Sequence, residues 1–244
     1  LTGTDASALS ISSSGVITFN TAPDYETKTS YSVTVNVSDG TNTDSQALTV
    51  NVTNVNDNNP AITSASSFNA DENQTAVGTV SATDADGDTV SYALSGTDAS
   101  SMSINSSTGV LTFNSAPDYE IKTSYSVTAT ANDGSNSTNQ SITIFINNVN
   151  EFTPVFSSPS SYSINEGGTG VGTLAASDSD ANQTVTFSKS GTDSSSFTLN
   201  SSSGVLVFNA APDYETKASY AITVTASDGA GGVTTLNLTI NIIN

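Results

Sequence analysis

Short segments in which apolar and polar residues alternate run along most of the chain. Residues 125–131 read Tyr-Ser-Val-Thr-Ala-Thr-Ala, and residues 141–146 alternate Ile with Ser, Thr and Phe. A period of two places every second side chain on the same face of a β-strand, so one face is buried and the other is solvated. Turns rich in Gly, Asn, Asp and Ser divide the segments, and their spacing predicts an all-β fold of the sandwich type.

One ten-residue stretch occurs three times along the chain. The sequence Ala-Pro-Asp-Tyr-Glu-x-Lys-x-Ser-Tyr begins at Ala22, Ala116 and Ala211, and each copy continues into an alternating strand that ends in Asp-Gly. The copies lie 94 and 95 residues apart, which is the length of one small domain. We therefore predict three modules joined by Asn-rich linkers at 54–58 and 148–152, with boundaries at residues 1–58, 59–152 and 153–244.

The first module is shorter than the other two. Leu1-Thr-Gly-Thr-Asp aligns with Leu94-Ser-Gly-Thr-Asp, and no earlier residues correspond to 61–93. The module therefore lacks its first two strands, which leaves unpaired strand edges and half of a core. We predict that this module is either disordered or completed by a neighbouring chain.

The composition narrows the chemistry that is available. The chain of 244 residues contains no Cys and no His, which excludes disulfides, zinc clusters of the common ligand types and nucleophiles paired with His. Four Lys against 23 acidic residues give a net charge of -19, which repels nucleic acid and anionic lipid and attracts divalent cations. The sequence contains no apolar run of about 18 residues, so we expect no direct membrane insertion.

Many of the acidic residues occupy positions that recur from module to module, whereas a merely solvated surface would scatter them. They are widely separated in sequence, so only a fold can bring them to one site. In the second module they are Glu72, Asp84, Asp86, Asp118, Glu120 and Asp133.

Five motifs occur in the order found in a known family. They are Asp-Glu-Asn at 71–73, Asp-Ala-Asp at 84–86, Asp-Tyr-Glu at 118–120, Ala-Asn-Asp-Gly at 131–134 and the Asn-rich linker. Nearly the whole chain resembles tandem cadherin repeats, and it is most similar to the cadherin-like repeats of large bacterial surface proteins. The resemblance implies seven-stranded Greek-key β-sandwiches of the cadherin and immunoglobulin-like type in an extended array, with three Ca²⁺ at each junction between modules.

The resemblance also implies which residues bind Ca²⁺. At the junction of the second and third modules, the upper ligands would be Glu72, Asp118, Glu120, Asn148 and Glu151. The lower ligands would be Asp178, Asp180, Asp228 and Asn150, with the backbone carbonyls of Val149 and Phe152. The first junction would use Asp24, Glu26, Asn54, Asn56, Asp57, Asn58, Asp84, Asp86 and Asp133. A third half-site would contain Glu166, Asp213 and Glu215.

Two features of these sites predict weaker Ca²⁺ binding than the family pattern gives. Asn148 stands where the family usually has Asp, and Glu151 replaces the second linker Asp, so we expect a Kd of about 10⁻⁴ to 10⁻³ M. The first junction lacks the Glu that the missing strands would supply. We therefore expect fewer or weaker ions there.

Other interpretations of the same residues are less favoured. Asp84, Asp86 and Asp88 could open an EF-hand loop, but its sixth position is Thr and its twelfth is Ser. The Tyr of each Asp-Tyr-Glu could be a sugar platform, although packing beside the site is favoured. Asp5 and its counterparts Asp98 and Asp193 are expected to cap a local turn through a side-chain oxygen.

We predict a non-enzymatic extracellular or cell-surface protein whose repeats Ca²⁺ stiffens. Acid pairs can catalyse glycoside hydrolysis, but pairs repeated in every module indicate a structural role. The repeats would serve cell-surface adhesion as a stalk or an interaction module, through homophilic or glycan contact and beside neighbouring repeats of a longer protein. The alternative is a calcium-dependent carbohydrate-binding module of a secreted polysaccharide-processing system.

Overall fold

The structure is a computed structural model that describes all residues from 1 to 244. It contains 22 β-strands and three short 3₁₀ turns, and the turns are Ala6–Ala8, Ala99–Ser101 and Ser194–Ser196. The prediction of an all-β fold is confirmed. None of the helical segments is long and apolar enough to cross a membrane.

Residues 1–58 form two hairpins. The strands are β1 (Leu9–Ile11), β2 (Ile17–Phe19), β3 (Ser30–Ser38) and β4 (Thr43–Asn51). β1 pairs with β2 and β3 pairs with β4, both antiparallel, and each pair is a sheet of two strands. An isolated bridge joins Thr2 to Thr34 on β3.

The next nine strands form a three-stranded sheet, a four-stranded sheet and a small pair. They are β5 (Ala61–Ile62), β6 (Ser67–Asp71), β7 (Ala76–Thr79), β8 (Ala82–Thr83), β9 (Ser91–Ser95), β10 (Met102–Ile104), β11 (Val110–Phe113), β12 (Ser124–Asn132) and β13 (Ser137–Asn147). The strand orders are β10-β11-β7, β6-β13-β12-β9 and β5-β8.

The last nine strands repeat this topology. They are β14 (Val155–Phe156), β15 (Ser161–Asn165), β16 (Gly170–Thr173), β17 (Ala176–Ser177), β18 (Thr186–Ser190), β19 (Phe197–Leu199), β20 (Val205–Phe208), β21 (Ser219–Ser227) and β22 (Val233–Ile243). The strand orders are β16-β20-β19, β15-β22-β21-β18 and β14-β17. β15 runs parallel to β22, with Ser161 opposite Thr239 and Asn165 opposite Ile243.

The period-two pattern decides which residues form the core. On β12, Val127, Ala129 and Ala131 are buried, as the alternation predicts. The matching positions of β21 are buried too, and they pack with aromatic rings such as Phe197 and Phe208, whose centroids are 4.2 Å apart. Burial of these apolar side chains is the main driving force for forming the sandwich.

Two glycines allow a close approach of backbone segments. Gly109 and Gly204 have φ of +69° and +70°, and a Cβ at either would lie 2.0 or 2.1 Å from the carbonyl oxygen of Val80 or Leu174. The Val80 N–H and the Leu174 N–H donate to the carbonyls of these same glycines at 2.9 Å. Only Gly accommodates both the positive φ and the contact.

The chain divides into two compact units. Unit 1 comprises Leu1–Phe68, Val77–Asn114 and Ser126–Thr143, and unit 2 comprises Asn69–Ala76, Ser115–Tyr125 and Ile144–Asn244. The module boundaries drawn from the sequence repeats stay a prediction. The acidic residues of the first junction lie in unit 1, and those of the second junction lie in unit 2.

Candidate metal centres

Glu72 is a buried carboxylate held from two sides within unit 2. It follows β6 directly and is 1% exposed. Its Oε1 accepts a hydrogen bond of 2.6 Å from the Val149 N–H, and its Oε2 accepts one of 2.7 Å from the Tyr119 N–H. The Glu72 N–H donates to the carbonyl of Asn147 at 3.2 Å. The linker and the Asp-Tyr-Glu turn therefore both depend on this side chain.

Five carboxylates of unit 2 converge around Glu120. Oxygens of Glu72, Asp118 and Glu120 lie within 4.8 Å of one another, and oxygens of Glu120, Glu151 and Asp180 do the same. We call these five residues the second centre. Like charges this close repel one another, and a divalent cation would relieve that repulsion.

Burial raises the pKa of Glu151 within the second centre. A hydrogen bond from Asn73 to Glu151 opposes this shift, while the charges of Glu72, Asp180 and Glu120 raise the pKa further. The charged form of Glu151 is therefore disfavoured when no cation is bound.

Asp180 is buried against the linker of unit 2. Its Oδ2 accepts hydrogen bonds from the Glu151 N–H at 3.2 Å and the Phe152 N–H at 3.0 Å. The Asp180 N–H donates to Asp178 Oδ1 at 2.9 Å, which makes the Asp-x-Asp turn, and Glu120 Oε1 accepts from the Ala181 N–H at 3.0 Å. The predicted upper and lower acids thus meet in one network.

Three further predicted ligands of unit 2 surround Asp180. The Asn148 Nδ2 donates to the carbonyl of Ala181 at 2.8 Å. The Asn150 amide, oriented by its hydrogen-bond partners, donates to Asp180 Oδ2 at 2.9 Å and Asp228 Oδ2 at 3.3 Å. Burial raises the pKa of Asp228, but hydrogen bonds from Ala230, Asn150 and the following glycines outweigh burial, so the pKa is lowered.

The first centre, in unit 1, is built on the same plan. We define it as Glu26, Asp57 and Asp86, whose oxygens lie within 4.8 Å of one another. Asp86 Oδ2 accepts from the Asp57 N–H at 3.1 Å and the Asn58 N–H at 2.8 Å, and the carbonyl of Asp86 accepts from Asn54 Nδ2 at 2.7 Å. The Asn58 hydrogen bonds lower the pKa of Asp86.

Asp133 belongs to a loop beside the same linker of unit 1. Its Oδ1 accepts from the Ser135 N–H at 2.7 Å and the Asn136 N–H at 2.6 Å. Asn136 Nδ2 then donates to Asn56 Oδ1 at 2.8 Å and to the carbonyl of Asn58 at 3.2 Å. Asn136 was missed at the sequence level, although it follows the Asp-Gly by only two residues.

Some predicted ligands stand apart from these close groups. Asp24 uses Oδ1 to accept from the Glu26 and Thr27 N–H groups and Oδ2 to accept from the Thr27 hydroxyl at 2.8 Å. It is outside the close carboxylate group that contains Glu26. Asp133, Asp178 and Asp228 are likewise outside the close groups.

Two other close carboxylate groups are present, and one of them shares Asp86 with the first centre. Oxygens of Asp84, Asp86 and Asp88 lie within 4.8 Å of one another in unit 1. Oxygens of Glu166, Asp213 and Glu215 do so in unit 2, where Glu166 Oε2 accepts from the Tyr214 N–H at 3.2 Å. This second group is the predicted third half-site.

Several buried acceptor oxygens near the two linkers receive no hydrogen bond. They are Asp84 Oδ2 and Asp133 Oδ2 in unit 1, and Asn148 Oδ1 and Asp178 Oδ2 in unit 2. A buried acceptor without a donor costs free energy, and a cation is the partner that such an oxygen can take. Carboxylate and amide oxygens are the hard ligands that Ca²⁺ prefers, so these residues fit Ca²⁺.

The prediction that Asp5, Asp98 and Asp193 cap a local turn is wrong. None of their side chains caps the 3₁₀ turn that follows. Each carboxylate instead accepts from a backbone N–H of the long strand opposite: Ser32 at 2.8 Å, Ser126 at 2.8 Å and Ala221 at 2.9 Å. The residue preferences of turns favoured a hydrogen bond within the turn, because they take no account of a backbone donor that is distant in sequence.

A Lys completes this arrangement in the first and last repeats. Lys28 forms an ion pair with Asp5, and Lys217 forms one with Asp193 at 2.5 Å. The same Lys residues lie over the rings of Tyr31 and Tyr220, at 4.9 and 4.7 Å from the ring centroids. The Lys and the second Tyr of the repeated motif therefore have a structural role beside the centres.

The Cadherin-domain family model matches residues 66–147 and 160–243. Among curated proteins, mouse Protocadherin Fat 4 is 35% identical over 147 residues, and human Protocadherin Fat 4 is 34% identical over the same length. The match covers 56% of this chain and 3% of each relative, so the chain spans a small part of their length. Both relatives are mammalian, so they give no support to a bacterial origin of the resemblance.

Solved structures of similar fold cover almost the whole chain. A crystal structure of mouse Cadherin-23 EC22-24 is 27% identical with a TM-score of 0.66, covering 97% of this chain and 82% of that one. A structure of Protocadherin Gamma B2 extracellular cadherin domains 3-6 has a TM-score of 0.83 at 23% identity, covering 97% of this chain and 64% of that one. The second likeness is one of fold alone.

Proposed function

Because the chain belongs to the cadherin family, whose members are extracellular adhesion proteins and not enzymes, we propose that it is a Ca²⁺-binding stretch of an adhesion protein. The first and second centres would hold the ions. The repeats would serve as a stalk or an interaction module, with neighbouring repeats or a second copy as partners.

The observation that carries the Ca²⁺ proposal is the set of buried oxygens without donors beside the linkers. Asp178 Oδ2 and Asn148 Oδ1 belong to residues that touch Asp180 and its turn. Burying such an oxygen costs free energy unless it has a partner, and the protein itself supplies none. Bound Ca²⁺, which takes six to eight oxygen ligands, would supply these oxygens with a positively charged partner.

Bound ions would also stiffen each linker. The linker already contacts Glu72 through Val149 and Asp180 through Phe152, but repulsion among the surrounding carboxylates opposes these contacts. Neutralising that charge would favour the ordered linker and make it resist proteolysis. The expected Kd remains about 10⁻⁴ to 10⁻³ M, because an amide at Asn148 carries no charge.

Isothermal titration calorimetry of the whole chain with Ca²⁺ tests the binding proposal. Glu120→Ala should weaken Ca²⁺ binding by about tenfold or more, because Glu120 is the residue shared by both close groups of the second centre. Asp44→Asn is the matched control, since Asp44 lies on β4 outside the close groups and should leave the isotherm unchanged. No heat of binding in the wild-type chain at 10 mM Ca²⁺, which is about ten times the weaker expected Kd, would refute the proposal.

Small-angle scattering and limited proteolysis test the stiffening. With Ca²⁺ the maximum dimension should rise and cleavage at 54–58 and 148–152 should slow, and a chelator should reverse both changes. Unchanged scattering and cleavage would leave Ca²⁺ binding without a mechanical role. The comparisons give no support to glycan binding, so the carbohydrate-binding alternative is not proposed.

A further inference from the structure

Asn73 has a backbone conformation that favours Gly. Its φ is +61°, and Asn182 is the one other residue besides Gly with a positive φ. The Asn73 N–H donates to the carbonyl of Pro117 at 3.0 Å. In the last repeat the Gly167 N–H donates to the carbonyl of Pro212 at 3.1 Å, so Gly167 is the equivalent residue. Gly makes the same turn at no steric cost, so the backbone alone gives no reason for Asn at this position.

The side chain of Asn73 reaches the linker of the second centre. Its Nδ2 donates a hydrogen bond to Glu151 Oε2, although the two residues are 78 positions apart in sequence. Both residues belong to unit 2. This hydrogen bond therefore joins the turn after β6 to the linker.

Glu151 needs such a partner because its charged neighbours repel it. The residue is exposed, and the charges that act on it are the carboxylates of Glu72, Asp180 and Glu120. Repulsion drives a flexible, exposed carboxylate toward solvent, and holding it in place costs conformational entropy. The Asn73 amide is an uncharged donor, so it binds Glu151 without a change in the charge of the centre.

The two linkers differ at the position of Glu151. The Asp57 N–H of the first linker donates to Asp86 Oδ2 at 3.1 Å. The Glu151 N–H donates to Asp180 Oδ2 at 3.2 Å, so Asp57 and Glu151 are equivalent. Glu carries its carboxylate one methylene farther from the backbone than Asp and loses more side-chain freedom when it is held. The longer side chain reaches Asn73, and it also needs a support that the shorter one does not.

From these contacts we propose that Asn73 is a positioning residue for Ca²⁺ in the second centre. Because the amide binds Oε2 of Glu151, Oε1 is the oxygen that Glu151 offers to the cation beside Glu120 and Asp180. A ligand that is in place before the ion arrives loses less freedom on binding, which raises the affinity. This role rests on the proposed function, since it presupposes Ca²⁺ at the second centre.

Asn73→Gly separates this role from a purely structural one. Titration calorimetry of the whole chain should show Ca²⁺ binding at the second centre weakened by about tenfold, as is typical when a residue that orients a metal ligand is lost. The isotherm of Glu120→Ala identifies the contribution of this centre. In chelator the melting temperature should stay close to that of the wild type, because Gly suits the turn and Asn73 is exposed, whereas loss of a purely structural residue would lower it.

The outcomes of this titration distinguish the role of Asn73 from the proposed function. Unchanged Ca²⁺ affinity in Asn73→Gly would overturn the role of Asn73 and leave the proposed function standing. Absence of Ca²⁺ binding in the wild-type chain would overturn both.

Asn182→Gly is the matched control. It makes the same substitution at a φ of +62°, in the turn that follows Asp180, and its side chain is not the partner of Glu151. Ca²⁺ binding should therefore stay unchanged. Equal weakening in Asn182→Gly and Asn73→Gly would show that backbone flexibility sets the affinity, and it would overturn the proposal.

A double-mutant cycle with Glu151→Asp tests the pair directly. This substitution introduces the acid of the first linker and withdraws the carboxylate from Asn73. In its background Asn73→Gly should have no further effect on Ca²⁺ binding, because the amide no longer holds a ligand. A second loss of about tenfold would contradict the proposal, since effects that add are independent.

The contact itself can be measured without Ca²⁺. In chelator, NMR of the isotopically labelled chain should show a nuclear Overhauser effect between the Asn73 side-chain amide protons and the Glu151 γ-methylene protons. The Asn73 amide resonances should shift in Glu151→Asp and stay in place in Asn182→Gly. Absence of the Overhauser effect in the wild-type chain would overturn the proposal whatever the Ca²⁺ titration gives.

Discussion

Glu72 is a single residue on which three segments depend, since its carboxylate joins the linker and the Asp-Tyr-Glu turn while its N–H joins β13. We expect Glu72→Gln to lower the free energy of unfolding by about 1 to 3 kcal/mol, because the amide nitrogen of Gln cannot accept one of the two backbone N–H groups. The melting temperature should fall by several degrees even in chelator.

Glu166→Gln is the control for this variant. Glu166 occupies the same position in the last repeat and is only half-buried, and its carboxylate accepts from Tyr214 at 3.2 Å. Its replacement should cost less stability and should leave Ca²⁺ binding at the second centre unchanged. Equal loss of stability in both variants would show that the Val149 contact contributes nothing.

Asp193 gives a residue-level prediction of pH dependence. Hydrogen bonding from Lys217, and then from the Ala221 N–H, lowers the pKa of Asp193 below its ordinary value of 3.8. A lowered pKa in the folded state means that the carboxylate stabilises the fold above pH 3.8 and that this contribution is lost as the pH falls through the folded-state pKa. Asp193→Asn should therefore melt below the wild type at pH 7, and the gap should close as the pH falls below 3.8 and through the lowered pKa of Asp193. A gap independent of pH in thermal melts would contradict this.

For single residues, the positions of the acidic ligands could be predicted from the sequence, but not all of their hydrogen-bond partners could. Glu72, Asp86 and Asp180 could be predicted because they recur at fixed motif positions. Asn136 and the Ala181 N–H could not, since a single Asn in a polar turn or a backbone donor carries no distinguishing pattern. The same limit explains the error at Asp5 and its counterparts, whose partners lie 23 to 28 residues away.

At the scale of elements, the turns at Gly109 and Gly15 differ in their surroundings, because the backbone at Val80 approaches Gly109 and nothing approaches Gly15. Gly109→Ala should cost about 3 kcal/mol or more, because a Cβ would lie 2.0 Å from the carbonyl oxygen of Val80 in addition to the positive φ. Gly15→Ala should cost about 1 kcal/mol, since only the φ of +85° opposes it. Urea unfolding of both variants checks the difference, and equal costs would contradict the close approach of Val80.

The long strands were predictable and the shortest ones were not. β12 and β21 alternate over nine residues, so their buried faces follow from the sequence. The pairs β5–β8 and β14–β17 are two residues long, and no periodicity can be detected over two positions. Their existence depends on the surrounding sheet, because strands this short have no stability of their own.

At the scale of the whole molecule, the net charge of -19 should make stability depend on divalent cations more than on salt. Adding Ca²⁺ at about 100 times its Kd should contribute about 2.7 kcal/mol per linked site and raise the melting temperature. NaCl at the same ionic strength should raise it much less, because Na⁺ only screens the carboxylates whereas Ca²⁺ would bind between them. Differential scanning calorimetry in the two salts distinguishes these effects, and equal shifts would indicate screening alone.

The parallel pairing of β15 with β22 has a mechanical consequence. Tension along the chain would pull β15 from its N-terminal end and β22 from its C-terminal end, and in parallel strands these are opposite directions. The hydrogen bonds that join residues 161–165 to residues 239–243 would then be loaded in shear and would have to break together, whereas an antiparallel pair pulled from one end unzips bond by bond.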